Sequence, residues 1–265
     1  IPLMKQGRLR PQLAGAIEAV ASTGGQLMPP VMGIAAFLMA EFLSISYAEV
    51  ALAALIPAVI FYAALFLQAD LEAAKDGLGG VPVKDLPRAR SVLKEGWFFP
   101  FPFAVLIYSL FWLNHEPATA ALLAAGCVLL LSLIFGFRGR RVTGRDIYEI
   151  FRDTGLSVID LFMIGAAAGA VIALLNYSGL GFGLTLALVQ LAGGNLIILL
   201  ILAAITCIIL GMGMPTVGVY ILLATLVAPA LIEMKVDPLA AHMFILYFGC
   251  LSMITPPVAI GAFAA

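Results

Sequence analysis

Long apolar stretches, separated by short polar clusters, make up most of the chain. A helix needs about 20 predominantly apolar residues to cross the roughly 30 Å hydrocarbon layer of a membrane. Stretches near this length predict transmembrane helices at residues 50–67, 97–113, 118–137, 156–175, 196–210 and 217–232. These stretches lack the polar and apolar alternation that a membrane-spanning strand requires. Because a helix satisfies its backbone hydrogen bonds internally, the pattern predicts an all-α, polytopic transmembrane helical bundle.

Positive charge is concentrated in two of the segments between these stretches. Residues 70–95 and 138–153 each carry five Lys or Arg side chains, whereas the short turn at 114–117 carries none. Since Lys and Arg favour the cytoplasmic side, we expect both loops to face the cytoplasm, where they also serve as solvated connectors. The Gly-rich segment 180–194 is compatible with either an interfacial helix or a bent span.

The composition excludes a soluble protein. Hydrophobic residues make up 63% of the chain and charged residues 11%, with a mean hydropathy of +1.11, so polar residues are too few to cover a soluble core. The formal net charge of −1 gives no basic surface for nucleic acid. Cys127, Cys207 and Cys250 lie far apart in apolar stretches, which indicates packing rather than a zinc site. The chain does not begin with Met and shows no signal peptide, so we expect a piece of a longer protein.

A pattern of prolines recurs at the two ends of the chain. Positions 2, 11, 29 and 30 are proline, and so are positions 229, 238, 256 and 257, which follow them at one constant offset. The same offset, without a gap, matches Ala14 to Ala241, Val31 to Val258 and Ala35 to Ala262. Each copy has an apolar helical stretch, a break rich in small residues at 22–25 or 252–255, Pro-Pro, and a second apolar stretch. The chain therefore contains an internal repeat.

The Pro-Pro pairs predict helices that break inside the membrane. Proline lacks a backbone N–H and disfavours helical geometry in the residue before it, so one helix ends and another begins there. Irregular backbone at membrane depth persists where protein buries it or where it lines a watery cavity, and paired breaks mark the binding sites of secondary transporters. A kink that serves packing alone is the alternative. A third break, Gly-Met-Gly-Met-Pro-Thr at 211–216, follows the same logic.

The repeat also suggests how the chain is organised. We interpret it as one membrane transport domain fragment, cut at both ends relative to its own repeat. Its parts are a first hairpin at 1–45, three spans with a charged loop at 46–137, a connector with second-repeat spans at 138–227, and a second hairpin at 228–265. Inverted copies require an odd number of membrane crossings between the hairpins. Because the predicted spans number six, inversion requires that residues 180–191 also cross the membrane.

Three segments carry a resemblance to a known family. They are STGGQLMPPVMGIAAFLMAEF from Ser22, GMGMPTVGVYILLATLVAPAL from Gly211 and HMFILYFGCLSMITPPVAIGAFAA from His242. These segments resemble the large membrane subunit of tripartite ATP-independent periplasmic (TRAP) transporters, the C4-dicarboxylate permease family, and most closely its fused, TAXI-associated form. The resemblance covers essentially the whole chain. It implies re-entrant hairpins and discontinuous helices in inverted repeats, with an elevator-type movement.

The resemblance further implies a function and partners. A periplasmic solute-binding protein would deliver a small organic acid of the C4-dicarboxylate kind, and a small membrane subunit, separate or fused, would accompany the permease. A sodium gradient would drive uptake across the inner membrane of a bacterium. Proton coupling is one alternative, and a passive channel or a structural membrane scaffold is another. We expect no enzyme activity and no cofactor beyond the coupling cation, since the hydrolase motifs HExxH and GxSxG do not occur.

Carried over position by position, the resemblance implies a binding site made of three segments. The first hairpin tip contains Thr23, Gly24, Gly25, Pro29 and Pro30, the second contains Ser252, Thr255, Pro256 and Pro257, and the unwound helix contains Gly211, Gly213, Pro215 and Thr216. Their oxygens would bind ions and substrate, with sodium held through Gly211, Gly213 and Thr255, in keeping with the oxygen ligands of hard cations. Many relatives have a serine after the first Pro-Pro, where this chain has Val31.

Three ionisable residues lie within or beside apolar stretches, where charge is costly and often functional. Asp160, near the start of the 156–175 stretch, either marks a coupling or substrate path or reaches the membrane interface. Glu41 either belongs to the first hairpin's site or anchors its end at the interface. His242 either carries protons, because histidine titrates near neutral pH, or caps or packs the helix that leads to the second tip.

Overall fold

The structure is a computed structural model that describes residues 4, 9–78, 96–135, 142–259 and 261–262, apart from seven side chains between 160 and 176. Across these ranges the regular structure is helical and contains no strand, which confirms the all-α prediction. The helices are α1 (Pro11–Gly24), α2 (Ile34–Leu43), α3 (Tyr47–Lys75), α4 (Pro100–Phe111), α5 (Pro117–Phe135), α6 (Gly144–Ser178), α7 (Leu180–Ala192), α8 (Leu196–Gly211), α9 (Thr216–Leu226), α10 (Ala228–Glu233) and α11 (Pro238–Ser252).

The length and hydropathy of the helices fit a membrane protein. By these two criteria α3 and α5 are each long and apolar enough to cross a bilayer. Within the described ranges, six further apolar helices of 10–17 residues accompany them: α2, α4, α7, α8, α9 and α11. The predicted spans at 50–67 and 118–137 fall on the two long helices, although residues 136–137 lie outside the described ranges.

The stretch predicted to span at 97–113 forms a shorter helix. α4 begins at Pro100, where the missing N–H of proline costs no hydrogen bond because first-turn N–H groups have no helical partner. Its C-terminal end precedes a turn at Asn114, which adopts a left-handed φ of 47°. Asparagine tolerates this conformation better than most residues.

Helix α6 begins at Gly144, well before the predicted stretch at 156–175. Thr143 and Asp146 form a reciprocal cap, in which the Thr143 N–H donates to Asp146 Oδ2 at 2.8 Å and the Asp146 N–H donates to Thr143 Oγ1 at 3.4 Å. This cap satisfies N–H groups that the first turn would otherwise leave unpaired. The loop expected at 138–153 is therefore wrong from Gly144 onward. Asp160 consequently lies near the middle of a long helix, not near its start.

The segment 180–194 contains helix α7. Gly179 and Gly193, with φ of 71° and 57°, flank it, and a left-handed φ is readily adopted by glycine. The helix is sharply delimited because both flanking residues leave helical geometry.

The stretch predicted as one span at 217–232 is broken at Val227 into α9 and α10. The Ala230 N–H bonds to the Val227 carbonyl at 3.1 Å, which is the tighter i to i−3 pattern. Thr185 Oγ1 shares its proton between the Gly181 carbonyl of its own helix, at 3.2 Å, and the Leu226 carbonyl, at 3.4 Å. The hydroxyl of α7 thus gives a backbone acceptor at the break a shared partner.

The described chain divides into two compact units. The larger contains residues 1–45, 49–79 and 163–265. Its interior is packed by α8, α9 and α11, which contribute the fully buried Leu199, Leu223 and Ile245. Both Pro-Pro segments and the Gly-Met-Gly-Met-Pro-Thr break belong to this unit, so the candidate site can be described within it.

The smaller unit contains residues 46–48 and 80–162 and is built around α4 and α5. These two helices form an antiparallel pair, because Trp97, just before α4, packs against Phe135 at the end of α5 with ring centroids 5.2 Å apart. At the opposite end, Ser109 Oγ and His115 Nδ1 form a hydrogen bond of 3.2 Å across the connecting turn.

Candidate functional site

The backbone reproduces the internal repeat. α1 begins at Pro11 and α11 at Pro238, positions related by the offset of the proline pattern, and helical geometry resumes at Ile34 and again at residue 261. Both copies contain a cis peptide bond within the Pro-Pro pair, Pro29–Pro30 and Pro256–Pro257.

Hydrogen bonds at the end of the first helix match between the copies. The Gln26 N–H bonds to the Thr23 carbonyl at 3.3 Å, and the equivalent Met253 N–H bonds to the Cys250 carbonyl at 3.1 Å. The next pair, Leu27 to Gly24 and Ile254 to Leu251, repeats the agreement at 2.9 and 3.2 Å. The two breaks therefore share one local structure.

The first hairpin tip packs closely against α3. A Cβ placed on Gly24 would lie 3.1 Å from Tyr62 Cζ and would clash with the ring of Phe61. The Tyr62 hydroxyl also donates to the Ala21 carbonyl at 3.0 Å. Glycine allows this close packing at position 24, because any side chain there would displace the aromatic rings of α3.

The remaining residues of the first tip surround a non-helical segment at 25–33. Thr23 is buried and donates from Oγ1 to the Ala19 carbonyl at 2.8 Å. The segment closes on itself through the Gly33 N–H, which bonds to the Gln26 carbonyl at 2.9 Å. Gly25 and Pro30 are exposed, and Pro29 is half-buried.

The second hairpin tip is closed in a similar way, one residue later in the repeat. Ser252 is buried and donates to the Gly249 carbonyl at 2.6 Å, while Thr255 donates to the Leu251 carbonyl at 2.7 Å. The Gly261 N–H closes the segment on the Met253 carbonyl at 2.9 Å. The prolines that follow, Pro256 and Pro257, are exposed.

The break between α8 and α9 lies directly against the second tip. A Cβ placed on Gly211 would lie 2.5 Å from Ser252 Oγ and 2.9 Å from its Cβ, so the two backbones approach through the missing side chain. Thr216 Oγ1 donates to the sulfur of Met253 at 3.2 Å. Pro215 is the N-cap residue of α9 and is exposed. Gly213 has a left-handed φ of 83°, and a Cβ there would be 3.8 Å from Val258.

The first tip also reaches the second hairpin. A Cβ placed on Gly261 would lie 3.5 Å from Thr23 Oγ1. Residues from all three predicted segments therefore meet in the larger unit, with the second hairpin in the middle. Thr23 contacts it from one direction, and Gly211 and Thr216 contact it from another.

The hydroxyl groups at this junction present acceptors to any further ligand. A hydroxyl has a single proton and two lone pairs. Thr23 and Ser252 each donate that proton to a carbonyl of their own helix, Thr255 donates to a carbonyl of the helix that precedes it, and Thr216 donates to a thioether. Because the remaining capacity of these oxygens is lone pairs, their chemistry suits a cation.

Donor groups come from the helices that begin at the breaks. α2 starts after Gly33 and α9 after Pro215, and the first-turn N–H groups of a helix have no partner within it. Such N-termini favour negative charge. The junction thus combines acceptors on side chains with the positive end of the α9 dipole, and α2 begins where the non-helical segment of the first tip ends.

The three ionisable candidates have different surroundings. Glu41 is exposed in the last turn of α2, and the Asp160 side chain lies outside the described part of the structure. His242 is buried, and its Nδ1 forms a hydrogen bond of 2.8 Å with the Tyr220 hydroxyl of α9. Tyr220 in turn packs edge-on against Phe42, with centroids 6.1 Å apart.

Two kinds of contact were not predicted from the sequence. The aromatic pair Phe61 and Tyr62 covers the first tip, and Met253 accepts a hydrogen bond at the second. Neither has a sequence signal, because aromatic residues and methionine are common throughout apolar helices. Among the described residues, no group of three or more His, Cys, Asp or Glu side chains is arranged to hold a metal ion.

The chain matches a known protein family over its whole length. Residues 1–265, the whole chain, match the family model described as the tripartite ATP-independent periplasmic transporter, DctM component. A search of curated proteins gave no match.

Proposed function

Because the chain belongs to the DctM component family of tripartite ATP-independent periplasmic transporters, we propose that it takes up a small organic acid by sodium-coupled secondary transport. The family is that of the large membrane permease. We propose in addition that the substrate is a C4-dicarboxylate-like acid, that the coupling ion is sodium, and that the permease is of the fused, TAXI-associated type.

The convergence of the three breaks is the observation that carries this proposal. Interrupted helices that meet in a transporter expose backbone groups which can bind both an ion and a substrate. In this chain the second tip meets the unwound segment at Gly211 and Ser252 and meets the first tip at Thr23 and Gly261. A packing kink alone gives no reason for three breaks to adjoin.

Sodium is supported by the chemistry of the junction. Sodium is a hard cation that prefers uncharged hydroxyl and carbonyl oxygens. We assign cation binding to the lone pairs of Ser252, Thr255 and Thr216, together with carbonyls in the non-helical segments that include Gly211 and Gly213. Thr23, Gly24, Gly25 and the prolines 29, 30, 215, 256 and 257 shape or line the same site.

An anionic substrate is supported by the helix N-termini. The acceptor-rich hydroxyls repel a carboxylate, whereas the N–H groups at the beginnings of α2 and α9 attract one. A bound cation would add to this attraction, which gives a physical basis for coupling ion binding to acid binding. We further propose that the two hairpins are inverted copies and that the site moves across the membrane in an elevator-type transition.

The proposal includes partners and a location. A periplasmic solute-binding protein would deliver the acid, and a small membrane subunit, separate or fused, would complete the permease. The complex would lie in the bacterial inner membrane as a multi-pass protein.

Uptake by proteoliposomes tests the proposal. The intact transporter that contains this chain is reconstituted with its binding protein, and uptake of a radiolabelled C4-dicarboxylate is measured under an inward sodium gradient. We expect saturable uptake that requires both the gradient and the binding protein. Equal uptake with potassium replacing sodium would contradict sodium coupling, and dependence on a pH gradient alone would indicate protons. Uptake that neither saturates nor requires the binding protein would favour a passive channel.

A further inference from the structure

A narrow apolar groove runs between α3 and α11 on the larger unit. Its volume is about 480 Å³. On one side are the small residues Ala53 and Pro57 of α3. On the other are six residues of α11, with Asp237 at the end: Leu239, Ala240, Met243, Phe244, Tyr247 and Phe248. The groove exists because α3 presents small residues opposite the larger side chains of α11, while Tyr247 bridges the helices by donating to the Ala54 carbonyl at 3.3 Å.

The length of the groove matches one leaflet of a membrane. The turn between α10 and α11 contains Glu233, Lys235 and Asp237, and charge of this density belongs at the membrane surface because it is costly at depth. From Asp237 to Phe248 the helix rises about 16 Å, at roughly 1.5 Å per residue. Half of a hydrocarbon layer of roughly 30 Å is about 15 Å. The groove therefore extends from the surface to about the middle of the bilayer.

The lining and length of the groove indicate its occupant. Its volume of about 480 Å³ extends along about 16 Å of α11, which gives room for a hydrocarbon chain that lies along the helix. The lining is almost entirely apolar, so it suits a chain without polar groups.

Asp237 lines one end of the groove, and Lys235 lies two residues before it in the chain. Asp237 uses Oδ1 to accept from the Ala240 N–H at 3.2 Å, and no ion pair of Asp237 or Lys235 is present within the described residues. Lys235 and Asp237 are both exposed and lie on the same turn. A phosphate would be attracted to the lysine and an ammonium group to the aspartate. A head group that carries both is phosphoethanolamine.

We propose that the groove between α3 and α11 binds one acyl chain of a phosphatidylethanolamine molecule, whose ammonium group pairs with Asp237. The lipid would fill the space beside the first helix of the second hairpin. It would therefore act as a wedge between that helix and α3. This site is separate from the junction of the three breaks, and its occupancy does not depend on the transported solute.

Native mass spectrometry of the intact transporter tests this inference. The detergent-solubilised protein is titrated with phosphatidylethanolamine or phosphatidylglycerol of the same acyl chains, and bound copies per chain are counted. We expect one retained phosphatidylethanolamine and a preference of about threefold over phosphatidylglycerol, the size of one exposed ion pair. Asp237→Asn keeps an oxygen for the helix cap and should abolish the preference while the acyl chain still binds.

Two matched variants locate the binding. Ala53→Phe fills the groove and should remove the retained lipid, whereas Ala63→Phe, at an exposed position of the same helix outside the groove, should not. Equal retention in both variants would overturn the proposal. An unchanged head-group preference in Asp237→Asn would overturn the role of the carboxylate. Loss of a co-purifying membrane protein from Ala53→Phe, with lipid retention intact, would overturn the lipid assignment and identify the groove as a protein contact.

Discussion

The two hairpins share a backbone but have different support. Arg10 and Asp237 occupy the same repeat position before their first helices, with nearly identical φ and ψ of −57° and 134° and of −54° and 135°. Arg10 reaches α3, where it pairs with Glu72 at 2.9 Å and Asp76 at 2.8 Å. Asp237 instead caps its own helix. The two positions thus share one backbone geometry but carry side chains of opposite charge.

The first helices of the two hairpins also differ in how many of their residues are buried. In α1 the buried residues are Ala14, Ala19, Thr23 and Gly24. In α11 they are Ala241, His242, Met243, Ile245, Leu246, Gly249, Cys250 and Ser252. The second hairpin is therefore a central element of the larger unit, whereas the first is attached at its tip by tight packing and at its start by ion pairs. The Pro-Pro repeat therefore encodes the local break, whereas other residues encode its surroundings.

The largest effect is expected where the second tip meets the unwound helix. Gly211→Ala introduces a Cβ against Ser252, and overpacking of this kind costs about 1–3 kcal/mol. We expect sodium-driven uptake to fall about tenfold to a hundredfold, measured in proteoliposomes at equal protein content. Gly183→Ala, where the added Cβ has open space, is the control and should retain uptake. Full activity of Gly211→Ala would show that uptake does not need the close packing of position 211 against Ser252.

Removal of one proposed ligand should have the next largest effect. Thr255→Val keeps the shape of the side chain but removes its lone pairs, and we expect the sodium concentration for half-maximal uptake to rise about tenfold, or ~1.4 kcal/mol. Thr206→Val is the matched control, because Thr206 also donates to a helix carbonyl, that of Leu202 at 2.8 Å, away from the breaks. Equal sodium dependence in both variants would remove Thr255 from the site.

Two tyrosine variants compare the support of the hairpins directly. Tyr220→Phe removes the buried partner of His242 beside the second hairpin, which should lower the free energy of unfolding by about 1–3 kcal/mol. Tyr62→Phe removes a half-buried bond to the first hairpin and should cost about 0.6 kcal/mol, typical of hydrogen bonds between membrane helices. Thermal unfolding of the intact protein measures both. The reverse order would show that the first hairpin is the more strongly held.

The smallest effect is expected at Arg10. Arg10→Gln removes two exposed ion pairs, each worth about 0.2–1 kcal/mol, so hydrogen exchange in the first turn of α1 should accelerate about threefold. High salt should produce the same change in the unmodified protein by screening the charges. Arg145→Gln breaks an ion pair with Glu149 inside α6 and serves as the control. A salt effect without any effect of Arg10→Gln would assign the screening to other charges.

Much of the fold could be predicted from the sequence because its strongest signals are local. Apolar length identified α3 and α5, and the proline offset identified the matched breaks. The start of α6 was missed because the Thr143–Asp146 cap lies in a charged segment that reads as a loop. The break at Val227 was missed because Pro229 lies inside an otherwise continuous apolar run.

The site was predictable only in its parts. Glycine, proline and hydroxyl residues at the breaks are visible in the sequence, but the partner of each depends on packing between helices far apart in the chain. The contact of Gly24 with Phe61 and the bond from Thr216 to Met253 illustrate this. The roles of Asp160, Glu41 and His242, the inversion of the hairpins and the coupling ion remain predictions.

The absence of a side chain at Gly211 also has an evolutionary consequence. Ser252 occupies the volume that a residue at position 211 would need, so the two positions share one fixed space. A larger residue at position 211 therefore requires a smaller one at position 252, for example alanine at 211 together with glycine at 252. We therefore expect these positions, although distant along the chain, to co-vary across homologous sequences as a single steric unit.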